Sequence, residues 1–110
     1  MNQVRNSLIH NVLVLCNNTI VNLRDQITNL EERINVCYSR IMFLIEYRDN
    51  VVEDEERKET VNEDLEILYT ERIELVVRAH ELRGQMIQVY RFRDRRIIEI
   101  QRMFLNQNEQ

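Results

Sequence analysis

At 110 residues, with one glycine, no proline and a formal net charge of −4, the chain has room for one modest core and little of the material that turns are made from. Charged residues at 31% and apolar residues at 44% suit long helices better than an α/β domain. The mild acidity argues against a general nucleic-acid binder, and no stretch approaches the ~18 unbroken apolar residues of a membrane span.

In chain order, residues 8–16, LIHNVLVLC, follow Arg5 and faintly resemble a signal peptide, but His10 and Asn11 interrupt the run and Leu15 is too large for a cleavage site. Without secretion the Asn17-Asn18-Thr19 sequon has no meaning, and two cysteines on one helix suggest reduced thiols, so an intracellular setting is expected. Cys16 and Cys37 lie 21 residues apart, about 31 Å along a helix, which is far too distant for a disulfide between them.

The first element is predicted as a helix over about 3–50. Stepping 3 and 4 residues from Leu13 meets Cys16, Ile20, Leu23, Ile27, Leu30, Ile34, Cys37, Ile41 and Leu44, all apolar. Such spacing is a coiled-coil seam, which winds left-handed around a partner. Next comes an acidic stretch, with ten acids against three bases over residues 46–66. A turn is predicted at about 51–60, closed by a capping box, Thr60-Val-Asn-Glu63. Asn50-Val-Val-Glu53 is a weaker capping pattern that competes with it. A second helix is predicted over about 60–105. Its stripe runs Val61, Leu65, Leu68, Arg72, Leu75, Ala79, Leu82, Met86, Val89, Arg93, Arg96, Ile100 and Met103, apolar at ten of thirteen positions.

The two stripes mirror each other when paired positions have numbers that total 109, as in Leu44 with Leu65, Ile34 with Leu75 and Ile20 with Val89. That register puts the reversal between Asp54 and Glu55. The expected fold is therefore all-α, one helical domain over 1–110. It is a long two-helix antiparallel coiled-coil hairpin that dimerises into a four-helix bundle. Two other arrangements fit the pattern: one continuous helix acting as a spacer, and helix 1 paired in parallel with its own copy, for which Ile at a and Leu at d are suited.

More apolar surface is present than one hairpin buries. Helix 2 carries an outer row of Tyr69, Ile73, Val76, Ile87, Tyr90, Ile97 and Phe104. Helix 1 adds Tyr38, Met42, Phe43, Ile45 and Val52 near the turn, and Leu8, Val12, Val14 and Leu15 near the open end. Such rows mark an interface. Homodimerisation and contact with another protein are the expected partnerships, with Tyr69, Ile73, Val76, Tyr90, Ile97 and Phe104 as the contact residues.

Candidate chemistry is sparse. RFRDRR at 91–96 offers Arg91, Arg93, Arg95 and Arg96 to phosphates, but the helix splits these arginines between faces. His10 and His80 are isolated in sequence, and His80-Glu81-Leu-Arg-Gly84 lacks the second histidine of a zinc-protease helix. The expectation is a non-catalytic self-associating scaffold or adaptor that needs no cofactor. Two features stand apart. Lys58 is the only lysine beside fourteen arginines, and Gly84 inside helix 2 marks either a close approach or a kink.

Overall fold

A computed structural model describes residues 2–108 of the chain. It contains two helices, α1 (Asn2–Asn50) and α2 (Glu55–Asn108), joined by a turn over residues 51–54. The fold is an all-α antiparallel hairpin, so the chain does not continue as one helix through the acidic stretch. Contacts divide it into two compact units. The turn unit is Ile27–Glu81, and the open unit is Met1–Gln26 with Leu82–Gln110.

The turn is shorter than the capping-box expectation, and α2 starts at Glu55 rather than near Thr60. Asp54 is the cap. Its Oδ1 accepts from the Glu56 amide at 3.0 Å, and its carbonyl accepts from the Lys58 amide at 3.0 Å. Glu55 and Glu56 then occupy the first turn, where the helix dipole favours carboxylates. Thr60 is already inside the helix. Its hydroxyl donates back to the Glu56 carbonyl at 3.2 Å and caps nothing. At the other end, the amides of Val51 and Val52 both donate to the Tyr47 carbonyl, which closes α1 without glycine or any positive φ.

In the turn unit, the cluster of Ile41, Val61 and Leu65 is buried, with Leu44, Ile45, Tyr47 and Leu68 packed against it. Val52, expected on the outside, folds in from the turn and is 7% exposed. Further from the turn, Leu30, Cys37, Leu75 and Ala79 are buried, and Ile34 is half-buried. The pairs Tyr38 with Arg72 and Arg48 with Asn62 cross between helices. Both number pairs total 110, one residue from the register read in the seam. The seam of α1 is thus covered by α2, not by a parallel copy of itself.

The open unit buries Cys16, Ile20, Leu23, Leu82, Ile100 and Phe104, with Leu13, Met86, Val89, Arg93 and Ile97 half-buried. Here the strict heptad of α2 fails. Arg96 and Met103 are exposed, while their neighbours Ile97 and Phe104 turn inward. The inward positions run 82, 86, 89, 93, 97, 100, 104, with two four-residue steps in succession. In α1 the inward positions run back through Cys16, Leu13, Ile9 and Arg5, again with consecutive fours. A straight helix drifts roughly 20° per heptad against a 3.5-residue seam, and one additional four-residue step takes up that drift.

Close approach of another chain segment does not explain Gly84. A Cβ built on it meets nothing within 4 Å, and its φ is ordinary.

Candidate functional site

The predicted seam residues form the core. Ile20, Leu23, Ile27, Leu30, Ile41, Leu65, Leu75 and Leu82 are buried, and Leu13, Ile34, Leu44, Leu68 and Met86 are half-buried. They hold the two helices of the hairpin together.

The six predicted contact residues divide. Tyr69, Ile73 and Val76 lie on the surface of the turn unit, 44%, 61% and 40% exposed. They are spaced four and three residues apart, so they share one face of α2. Arg72 belongs to the same row, and its guanidinium lies 5.9 Å from the centre of the Tyr38 ring. That contact places Tyr38 of α1, and Met42 one turn on, beside the same face; both are exposed. The turn unit thus presents an apolar face of five side chains drawn from both helices. In the open unit, by contrast, Tyr90 and Ile97 are half-buried and Phe104 is buried. Phe104 is therefore a core residue, for the reason given by the shifted inward row.

A second apolar surface escaped the sequence reading. A groove of about 550 Å³ in the turn unit is lined mainly by Val36, Phe43, Leu44 and Leu68, with Ser39 and Arg40 at its edge. Phe43 stacks on Tyr47 at 6.3 Å, which fixes one wall. The open unit has its own groove of about 370 Å³, lined by Leu15, Cys16, Leu23, Val89 and Phe92 together with Gln85 and Gln88. Leu44, Leu68, Cys16, Leu23 and Val89 are heptad positions, and Phe43 and Leu15 stand among the outer apolar residues of α1, whereas nothing in the heptad marks Val36 or Phe92.

The arginines at core positions are accommodated by their length. Arg72 is half-buried, stacks on Tyr38 and leaves its Nε without a hydrogen-bond partner. Arg93 lies 4.9 Å over Tyr90, binds Asp94 at 3.1 Å and reaches Asn17 across the open unit at 3.5 Å. Arg96 pairs with Glu99 at 3.1 Å. Arg91 and Arg95 are exposed and form no ion pair among the described residues. The RFRDRR cluster is therefore two engaged arginines and two open ones, not a single basic patch.

Charge separates between the units. The turn unit holds fifteen acids against seven bases, a balance of −8. The open unit holds four acids against eight bases, a balance of +4. Part of the negative charge is concentrated on one strip of α2, where Glu63, Glu66, Glu71 and Glu74 surround exposed Ile67 and Thr70.

Cys37 is 2% exposed, and burial pushes its thiol above the usual range, helped by the Glu71 carboxylate to which it is hydrogen-bonded; Arg40 and Arg33 pull the other way. A thiol raised in this way is a poor nucleophile. Among the described residues, no three His, Cys, Asp or Glu side chains gather as a metal cluster, and no helix is long and apolar enough to cross a membrane. No protein family, curated protein or solved structure matches the chain.

Proposed function

We propose that this protein is a non-catalytic helical scaffold that associates with a second copy of itself through the apolar face of the turn unit, and that the resulting four-helix bundle carries contacts to other proteins. The observation that supports the reading is the face formed by Tyr38, Met42, Tyr69, Ile73 and Val76, whose exposures run from 40% to 61%. A row of that length, drawn from two helices and left in water, is what a bundle interface provides on each side. At roughly 25 cal/mol per Å² of apolar area removed from water, burying two such faces supplies a driving force of the order that paired helical proteins rely on. A second copy fits better than an unrelated partner because the face is self-complementary in kind: it is aromatic and aliphatic on both helices.

The test is molar mass by light scattering coupled to size exclusion, over micromolar to submillimolar protein in high salt. The expected result is twice 13.5 kDa, falling to one chain when Ile73 and Val76 are both replaced by aspartate while helix content is kept. A wild-type chain of single mass throughout, or a double variant that stays paired, overturns the reading.

The open arginines Arg91 and Arg95 keep a second reading in view, that of a polyanion-binding helix. Its support is that both guanidinium groups are exposed and lack an ion pair among the described residues. A gel shift with a short duplex at low salt, lost on replacing both by glutamine, is its test.

A further inference from the structure

The separation of charge carries a consequence that the apolar face does not. On the turn unit, Glu63 and Glu66 lie on one side of Ile67 and Glu74 lies beyond it, at spacings that bring all of them to one face of α2. Ile67 is 66% exposed in the middle of this acidic strip. Glu63, Glu66 and Glu74 have no ion-pair partner among the described residues, whereas Glu71 is engaged with Cys37. On the open unit the pattern recurs with the sign reversed. Arg91 and Arg95 flank Phe92, which is 48% exposed and forms one wall of the apolar groove. Gln88 lines both that groove and the surface between Arg91 and Arg95, so the groove and its basic rim are continuous.

Each strip has what the other lacks. An exposed apolar side chain between unpaired carboxylates matches an apolar groove rimmed by unpaired guanidinium groups. Arginine pairs bidentately with carboxylates, and such pairs set partner choice and register along helices. Neither strip can meet its own kind without opposing like charges, which disfavours contact between two turn units or between two open units here.

We infer that the acidic strip of the turn unit docks on the basic groove of the open unit of another copy, with Ile67 entering beside Phe92. This head-to-tail contact is distinct from the apolar face and joins copies beyond the pair proposed above; the inference rests on that self-association reading. The contact is polar at its rim, so salt weakens it, while the apolar pairing persists.

The experiment uses the full chain and two charge-reversed variants, E63R/E66R/E74R and R91E/R95E. All five positions are exposed, so the helices are expected to hold, and circular dichroism checks this. The glutamine versions E63Q/E66Q/E74Q and R91Q/R95Q replace any variant that loses helicity. In low salt the wild-type mass is expected to exceed that of a pair and to fall to a pair in high salt. Each variant alone is expected to lose the larger species, with the contact weakened on the order of tenfold or more. An equimolar mixture of the two reversed variants is expected to regain it, because each altered strip then meets its complement.

Larger species unaffected by either reversal overturn the inference and leave the pairing standing. A wild-type chain that is paired in high salt and still never exceeds a pair in low salt also overturns it. A chain that is single in high salt and paired in low salt, with the pair lost in both variants, supports the charged contact and overturns the apolar one. A monomer that binds a short duplex through Arg91 and Arg95 assigns the basic rim to a polyanion and overturns both.

Discussion

Replacing Phe104 by alanine, and separately Met103 by alanine, sets the shifted inward row of the open unit against an unbroken heptad. Phe104 is 8% exposed and Met103 is 49% exposed, although the heptad count puts Met103 inside. Burial of a phenylalanine followed by its truncation costs about 3–5 kcal/mol, and a site near the end of a helix relaxes enough to favour the lower figure, about 3. Met103 has only about half its side chain to lose from a burial of roughly 2 kcal/mol, and alanine is the better helix former, so its replacement costs about 1 kcal/mol or less. The difference, about 2 kcal/mol, corresponds to roughly a thirtyfold difference in the equilibrium for opening the open unit. Native-state amide hydrogen exchange reads that equilibrium for residues 86–104 without requiring the whole chain to melt. Protection there is expected to fall far more in Phe104→Ala than in Met103→Ala. Equal losses, or a larger loss for Met103→Ala, refute the shifted row and restore the strict seam.

Three further outcomes are expected. Asp54→Ala removes the cap of α2 and lowers stability by about 1 kcal/mol in urea melts, whereas Thr60→Ala is neutral or slightly stabilising; the opposite order returns the cap to Thr60. Gly84→Ala raises stability by about 0.5–1 kcal/mol, because the new methyl meets nothing and the backbone is already helical, and a lower melting temperature sinks that assignment. Cys37 has a folded pKa above its unfolded value, so the stability it contributes is present below the usual thiol range and is lost as pH rises through the folded pKa; urea midpoints above about pH 9 are expected to fall in the wild type and to fall less in Cys37→Val.

The seam of α1 was legible because Ile and Leu recur at 3 and 4 with no competitor: Ile20, Leu23, Ile27, Leu30 and Ile41 are all buried. Legibility ended where two adjacent residues competed for one inward position. At 96 and 97 and again at 103 and 104, counting heptads chose Arg96 and Met103, while helix pitch and side-chain chemistry chose Ile97 and Phe104. The turn was located but stretched, because a threonine followed three residues later by glutamate fits a capping box and a helix interior equally well. Asp54 before Glu55 and Glu56 was the stronger signal. Of the candidate surfaces, the Tyr69, Ile73 and Val76 row followed from periodicity. The strips around Ile67 and Phe92 did not, since each is a lone apolar residue among charges, and only the fold shows that Gln88 links the Phe92 groove to its basic rim.

The four-residue turn has a consequence for how such a protein can change over descent. With its ends tied to Tyr47 on one side and Asp54 on the other, the turn leaves almost no slack between the arms. A residue inserted into one arm alone slides every layer beyond it by 1.5 Å and rotates it by about 100°, carrying apolar side chains into water and charges inward. Lineages of this hairpin can therefore tolerate many surface substitutions but few indels. Its arms can lengthen or shorten only together, by matched blocks close to a whole number of heptads.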